Sequence, residues 1–219
     1  MIYLNKGLIK LNWDEIDNFT TEDITYFLFL EGKSIDAISK IRNIDKEEIK
    51  RHIIEGKIKY RFLAKSKDIQ ELFKILCNLG KQDKLYALKY LDEKNIKNLT
   101  SYIKNNYTSM VSKEKESAIW ILGELKSIDN LDILKKAMVH KHVNVRRMAV
   151  SAMGKIGDTS LEVPLIRALD DENSQVVLYA IKSLNKIKSK KAIDKIKFIY
   201  ENTSKEYLKK AAEEYLCNI

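Results

Sequence analysis

Few residues of this chain have the types and spacing that catalysis or metal binding requires. His140 and His142 lie two residues apart, but no cluster of cysteines or carboxylates accompanies them, so we predict no metal site. Cys77 and Cys217 fit no metal-binding spacing, and we interpret them as two buried thiols in a reducing compartment. The sequence contains no glycine-rich phosphate loop and no serine nucleophile elbow. It therefore predicts a protein without catalytic residues, metal or cofactor, and it indicates no small-molecule substrate.

Basic residues are the remaining candidates for function, because they can bind the phosphates of nucleic acid. The 219 residues include 40 Lys and Arg against 31 Asp and Glu, which gives a net charge of +9. Only six of the basic residues are Arg, and the chain is also rich in Ile and Asn. These residue types increase together with Lys in AT-rich genomes, so net charge alone is weak evidence for a nucleic-acid partner.

The composition indicates the elements that position these residues. Seven Gly and one Pro are too few for the many turns of an all-β protein, whereas 45% hydrophobic residues are enough for a folded core. This composition predicts helices joined by short loops. No apolar run approaches the ~20 residues of a membrane span, and the N-terminus lacks a signal-peptide layout. We expect a soluble cytoplasmic protein with no membrane partner.

Alanine recurs every 31 residues through the second part of the chain. Apolar residues follow each alanine one and four positions later, which is the pattern of one buried helix face. A second apolar series with the same step begins at Leu72 and marks a second helix. Each unit is therefore a hairpin of a helix A, which carries the alanine, and a helix B, and such hairpins must stack to bury their apolar faces. The alanine series is Ala87, Ala118, Ala149, Ala180 and Ala211.

Local signals support this interpretation. Gly157-Asp158 is expected to end one A helix, and Thr159 with Glu162 predicts a capping box at the start of the next B helix. Pro164 is tolerated in the first turn of that helix.

The stretch VNVRRMAVSAMGKIGDTSLEVPLIRALDDENSQVVLYAIKSL, residues 143–184, resembles short HEAT repeats of the kind also seen in phycobilin-lyase-like proteins. The resemblance implies an all-α fold, an α-solenoid of about four to five HEAT-like helical hairpins over residues 67–219. It also implies that Arg146 binds carboxylates of a neighbouring loop. Because such solenoids are mostly binding scaffolds, we expect a protein partner. Matching positions include Val145, Arg146, Ala149, Met153, Gly154, Gly157, Asp158, Leu165, Leu169 and Asp171.

The first third of the chain does not follow the 31-residue step and is a different module. We expect residues 1–18 to form an N-terminal arm or a small hairpin about Asn5-Lys6-Gly7. Residues 19–66 are expected to form a module of three helices. The predicted helices run from Thr20 or Thr21 to Leu30, from Ser34 to Ile41, and from Asp45, with Glu48 as its capping-box partner, to Glu55.

The segment GKSIDAISKIRNIDKEEIKRHI, residues 32–53, resembles the helix-turn-helix of response regulators and sigma factors. Arg42 occupies a position where that family usually has Leu, and we expect Ile41 to fill the space. Asn43 replaces the usual Gly of the turn, since Asn tolerates a left-handed backbone. The pattern is carried by Gly32, Ser34, Ile38, Ile44, Asp45, Ile49, Lys50 and His52.

This resemblance implies that the helix from Asp45 is a recognition helix, with Ile49 and Ile53 facing the core. Residues 40–65 contain nine basic and four acidic residues, whereas residues 1–39 have a net charge of −4. Lys and Arg can contact guanine or phosphate, and Glu can accept from cytosine N4. The candidate nucleic-acid-binding residues are Lys46, Glu47, Lys50, Arg51, Lys57 and Lys59.

Basic residues also recur at the 31-residue step within the repeats, and equivalent positions of a solenoid line up in rows. A phosphate backbone could bind such rows, but for the lysine rows we favour the interpretation of a solvated face. The rows are Lys84, Lys115 and Arg146; Lys104 and Lys135; and Lys136 and Arg167.

The sequence thus favours a non-enzymatic binding protein in which the helix-turn-helix contacts duplex DNA and the solenoid holds a partner. The first alternative is a pure protein-interaction scaffold in which the trihelical module only caps the solenoid. A more distant alternative is a HEAT-like DNA glycosylase, but no matching set of aromatic, basic and carboxylate residues can be assigned to one.

Overall fold

The computed structural model describes residues 4–11 and 13–219, and the chain forms two compact units, residues 1–99 and 100–219. Apart from two strands of three residues each, the regular structure of the described residues is helical. This confirms the predicted all-α class. The predicted boundary between the helix-turn-helix module and the solenoid, at residues 66 and 67, lies within the first unit and stays a prediction. Within the described residues, no helix has the length and apolar composition to cross a membrane.

The first unit begins with a hairpin and a 3-10 segment, Trp13–Asn18, and continues as helices. Helix α7 runs across the boundary between the two units. The elements are β1 (Leu4–Lys6), β2 (Ile9–Leu11), α1 (Thr21–Leu30), α2 (Ile35–Arg42), α3 (Lys46–Lys59), α4 (Arg61–Lys65), α5 (Ile69–Asn78), α6 (Lys81–Lys89) and α7 (Glu93–Asn106).

The two strands pair antiparallel, so the hairpin is the alternative that is observed. Its turn is Gly7-Leu8, further along than the predicted centre at Asn5-Lys6-Gly7. Gly7 has a φ of +64°, and a Cβ at this position would lie 2.4 Å from the carbonyl oxygen of Leu63. The Leu8 N–H donates to the same oxygen at 2.9 Å. Glycine is therefore required both by the backbone conformation and by the close approach to α4.

Helices α1, α2 and α3 form the trihelical core. Ile38 and Ile49 are fully buried and Ile53 is nearly so, as predicted for the inward face of α3. Helix α3 continues to Lys59 instead of ending at Glu55. The prediction was wrong because Gly56 does not break the helix: a Cβ there would lie 2.2 Å from Cγ of Tyr26, so this glycine lets α3 pack closely against α1.

The second unit consists of stacked helical hairpins, in agreement with the predicted solenoid. The B helices start at residues 131, 162 and 193, a spacing of 31 residues, and each follows a 3-10 turn. Residues 84–200, all of which the structure describes, contain no strand. The helices after α7 are α8 (Ser112–Glu124), α9 (Leu131–Ala137), α10 (Val143–Ile156), α11 (Glu162–Arg167), α12 (Ser174–Lys186), α13 (Ile193–Asn202) and α14 (Glu206–Asn218).

The A helices α8, α10, α12 and α14 pack side by side. Ala118, Ala149 and Ala180 are fully buried, which confirms the prediction from the alanine series. Small residues also meet between successive A helices, since a Cβ on Gly123 would lie 2.7 Å from the Cβ of Ala152.

The turns between A and B helices also repeat. Lys126, Gly157 and Lys188 each have a positive φ, of 48°, 74° and 51°. The capping box predicted for Thr159 and Glu162 is wrong, because residues 159–161 form a 3-10 turn that Asp158 caps by accepting from the Ser160 N–H.

Cysteine placement differs from the prediction. Cys77 is buried, but Cys217 is exposed, because it lies on the outer side of the last helix, α14.

Candidate nucleic-acid interface

The turn between α2 and α3 is built by short-range polar contacts. Ser34 caps α2 by accepting from the Ala37 N–H at 3.2 Å. Asn43 ends α2 in a left-handed conformation with φ 51°, as the sequence predicted for its replacement of glycine. The Ser39 hydroxyl donates to the Ile44 carbonyl at 2.6 Å and fixes the chain where it leaves the turn. The helix-turn-helix geometry therefore follows from local sequence.

Asp45 caps α3 by accepting from the Glu47 N–H at 2.8 Å. The reciprocal bond predicted for Glu48 is not made. The Glu48 carboxylate instead binds Arg51 and His52, and the hydrogen bond from Arg51 holds the pKa of Glu48 below its usual value. The cap was predicted correctly, but the capping box was wrong because Glu48 has stronger partners along its own helix.

Arg42, and not Ile41, makes the contact with α1 that was expected of Ile41. The Ile41 side chain is exposed, so it does not fill the space of the usual leucine. Arg42 turns toward α1, where its guanidinium donates to the carbonyl oxygen of Thr21 at 3.1 Å and to the hydroxyl of Thr25 at 3.2 Å. A polar tie between α2 and α1 thus replaces the apolar contact.

The outer face of α3 carries Lys46, Lys50 and Arg51, all of them exposed. Each is paired. Lys46 binds Asp36 at 2.5 Å, and this contact raises the pKa of Lys46 and lowers that of Asp36. Lys50 binds Glu47 at 2.6 Å.

Arg51 is held by two carboxylates, Glu48 and Glu55, and their hydrogen bonds raise the pKa of Arg51. The N-terminal half of the helix therefore presents alternating positive and negative side chains instead of a uniformly basic surface.

Further along the same face the surface becomes apolar. Ile54 and Ile58 lie one and two turns beyond Lys50, and their side chains are 57% and 50% exposed. These two residues were not predicted from the sequence. The step of four residues from Lys50 to Ile54 and from Ile54 to Ile58 would have identified them, because residues four apart share one face of a helix.

His52 belongs to the helix-turn-helix pattern, but the sequence did not predict its burial or its polar contacts. It is buried, with Nδ1 3.2 Å from the Thr25 hydroxyl and Nε2 3.1 Å from the Glu48 carboxylate. It connects α3 to α1, so its polar groups contribute to the trihelical core.

The two basic residues at the end of α3 have different environments. Lys57 is exposed, and its Nζ lies 5.1 Å from the centre of the Phe29 ring. Lys59 donates to both carboxylate oxygens of the buried Asp23, at 2.7 and 2.8 Å. Tyr60 donates to Asp23 as well, at 3.0 Å. Lys59 therefore contributes to the structure of the first unit. Its ammonium group is already paired with Asp23, so it has no free charge for the predicted nucleic-acid contact.

The basic rows on the repeats divide into bound and free residues. Arg146 is buried, donates to both oxygens of Asp171 at 2.7 and 3.0 Å and also binds Glu172, so it is a structural residue, as the HEAT resemblance implied. Lys115 is half-buried, donates to the Thr108 carbonyl and lies over the Tyr107 ring. Arg146 therefore offers no free charge to a ligand, whereas Lys115 forms no ion pair within the described residues but is only partly accessible.

Other members of the rows are accessible. Lys135, Lys136 and Arg167 are exposed and form no ion pair within the described part of the chain. Lys104 is exposed but donates to the Asp129 carbonyl at 3.2 Å, and Lys84 is half-buried in the first unit. The accessible residues of the rows that form no ion pair, among those described, thus lie on α7, α9 and α11.

The rings of His140 and His142 are tilted by 31° with their centres 5.3 Å apart, and the His142 backbone N–H donates to Nδ1 of His140. The described residues contain no group of three or more potential metal ligands.

Comparisons with known proteins identify both regions. Residues 21–108 match the family model described as a helix-turn-helix domain, and residues 108–163 match the model described as HEAT repeats. The chain therefore combines a helix-turn-helix region with HEAT repeats, as the two resemblances predicted. The first match continues through α5 and α6, well beyond the trihelical core.

No curated protein matches the chain. Among solved structures, the crystal structure of an engineered protein is similar, with 15% identity and a TM-score of 0.49 over 91% of this chain and 96% of that one.

Proposed function

We propose that this protein is a non-enzymatic, DNA-associated binding protein in which α3 contacts duplex DNA. The observation that supports the proposal is the exposed face formed by Lys46, Lys50 and Arg51 at the start of the second helix of a helix-turn-helix. In such motifs the N-terminal residues of this helix contact base edges in the major groove. The HEAT repeats would hold a protein partner.

The carboxylates on α3 do not prevent this contact. The ion pairs of Lys46 and Lys50 are exposed, with side-chain exposures of 59% and 52% for the lysines. Exposed pairs are weak, so either lysine can exchange its carboxylate for a phosphate. Glu47 is 79% exposed and can accept from cytosine N4.

A duplex-binding titration tests the proposal. Fluorescence anisotropy of a labelled random-sequence duplex should report an affinity that falls steeply as KCl is raised. The K46A/K50A/R51A variant should bind more weakly, and its salt slope should be smaller by about 1 for each side chain that binds a phosphate in the wild type. The matched control is K67A/K74A/K81A, which removes three exposed lysines of the same unit and the same net charge. Equal affinities in the two variants would refute the α3 contact.

A specific observation favours a second candidate, the protein-interaction scaffold. Every basic residue on the outer face of the first half of α3 is paired with a carboxylate, and the exposed Ile54 and Ile58 continue the face. Apolar contacts of this kind suit a protein partner better than phosphate. If I54S/I58S abolishes capture of a partner protein while DNA binding is absent from the wild type, the scaffold function is the correct one.

A further inference from the structure

The densest basic charge of the second unit lies around the turn between α12 and α13. Residues 182–197 include seven lysines and one acidic residue, Asp194. None of these lysines belongs to the rows predicted from the 31-residue step. The seven are Lys182, Lys186, Lys188, Lys190, Lys191, Lys195 and Lys197.

Two of the seven have a structural role. Lys191 donates to the carboxylate of Glu162 at 2.8 Å, and Lys195 binds the carboxylate of Asp170. Both carboxylates belong to the preceding hairpin, so these lysines attach the α13 segment to it.

The other five lysines are exposed and form no ion pair within residues 4–11 and 13–219. Lys186, Lys188 and Lys190 lie within five residues at the turn itself, and we call them the lysine turn. Their positive charges are not neutralised by the fold, so together they produce a local positive potential.

The backbone of the lysine turn is left-handed at Lys188. Its φ is 51°, whereas the equivalent position of the preceding repeat is Gly157, with φ 74°. Glycine adopts this conformation without steric cost, but lysine does not. Lys126, one repeat before Gly157, adopts the same conformation with φ 48°, so two of these three turns carry a lysine where glycine would suit the backbone better.

We propose that the lysine turn binds the phosphate backbone of duplex DNA. Lysine acts on phosphate as a point charge and lacks the fork geometry that reads base edges, so the expected contact is independent of sequence. The large side chain within the turn, Ile187, is half-buried, which leaves no exposed apolar group there to enter a bilayer. The choice of DNA over other polyanions rests on the proposed function of the helix-turn-helix in the same chain.

The test compares three variants of the full chain with the wild type, again on a labelled random-sequence duplex. K186A/K188G/K190A removes the lysine turn, with glycine at position 188 to preserve the left-handed backbone. If all three lysines bind phosphates, this variant should have a salt slope smaller by about 2–3 and should bind up to about 500-fold more weakly at 0.1 M KCl. The charge-matched control K141A/K205A/K210A removes three exposed lysines elsewhere in the same unit and should retain most of the affinity.

The K46A/K50A/R51A variant separates this inference from the proposed function. If that variant is weakened and the lysine-turn variant equals the control, the inference is overturned and the α3 contact stands. The reverse result supports the lysine turn and rejects the α3 contact. Absence of duplex binding by the wild type at 50 mM KCl overturns both.

Two measurements complete the experiment. Thermal unfolding of the lysine-turn variant should match or exceed that of the wild type, because glycine relieves the backbone at position 188. Sedimentation with phosphatidylserine vesicles distinguishes the source of phosphate. If the variant loses vesicle binding but retains duplex binding, the lysine turn is a lipid-binding site and the inference is wrong.

Discussion

Gly154→Ala tests how closely the A helices pack, because two physical effects predict opposite signs. In an unpacked helix, alanine is more stable than glycine by about 1 kcal/mol. In this protein a Cβ on residue 154 would lie 2.2 Å from Oγ and 2.9 Å from Cα of Ser183. These distances are shorter than van der Waals contact, so α10 and α12 would have to separate.

The cost has two parts. Overpacking a core typically costs about 1–3 kcal/mol. Moving the Ser183 side chain would also break its hydrogen bond to the Val150 carbonyl, now 3.0 Å long, at a cost of about 0.5–1.5 kcal/mol. After the gain in helix propensity, we expect Gly154→Ala to lower the free energy of unfolding by about 1–3 kcal/mol.

Urea unfolding followed by circular dichroism measures this change, with Gly123→Ala as a parallel case because a Cβ there would lie 2.7 Å from the Cβ of Ala152. The double variant Gly154→Ala with Ser183→Gly removes the clashing side chain and should recover part of the stability. A Gly154→Ala variant that is more stable than the wild type would refute the close packing.

Three further predictions concern the same fold. Ala149→Glu should lower the free energy of unfolding by several kcal/mol, on the order of the whole stability margin, because it buries an unpaired charge. A urea unfolding midpoint equal to that of the wild type would contradict this. Under native conditions a thiol reagent should modify Cys217 and leave Cys77 unreacted until the protein unfolds, which mass spectrometry of the labelled peptides can show. Burial opposes ionisation of Asp171, but hydrogen bonds from Arg146 and a backbone N–H outweigh it and hold its pKa below 3.8. Its contribution to stability should therefore be present above pH 3.8 and be lost as pH falls through the lower, folded-state pKa. Arg146→Met should raise the pKa of Asp171 and reduce this dependence, because only the backbone N–H of Asn173 would then oppose the effect of burial.

Much of the fold could be predicted because it depends on repeated local patterns. The alanine step placed Ala149 correctly in the core, since one small residue per 31 is required where successive A helices approach each other. The trihelical core was equally accessible, because Ile49 and Ile53 share one helix face. The ends of the helices were less predictable. Gly56 is expected from sequence to break a helix, and only its contact with Tyr26 on another helix reverses that expectation.

The sequence predicts which side chains of the candidate site are exposed, but it does not fully predict which of their charges are paired. Exposure of Lys50 and Arg51 follows from helix geometry, and both are exposed. Their pairing with Glu47 and Glu48 also follows from the spacing, whereas the capture of Lys59 by Asp23 depends on the packing of α1 against α3 over 36 residues of sequence. For Lys59 and Arg146, tertiary contacts decide whether the charge is free or bound, so the sequence alone does not exclude either residue as a ligand-binding candidate.

The constant length of the repeat makes one hairpin of the second unit removable. Deleting residues 143–173 would take out Arg146 together with its partner Asp171, so no buried charge would be left alone. Gly123 would then face Ser183, the neighbour that Gly154 has now, and Glu124 would face Lys186 in place of its present partner Lys155. The contacts between A helices would thus be reproduced at the new junction, whereas Lys191 and Lys195 would lose their partners Glu162 and Asp170. Loss of a whole hairpin therefore preserves the packing between A helices, and the contacts that it removes are the ion pairs between neighbouring B segments.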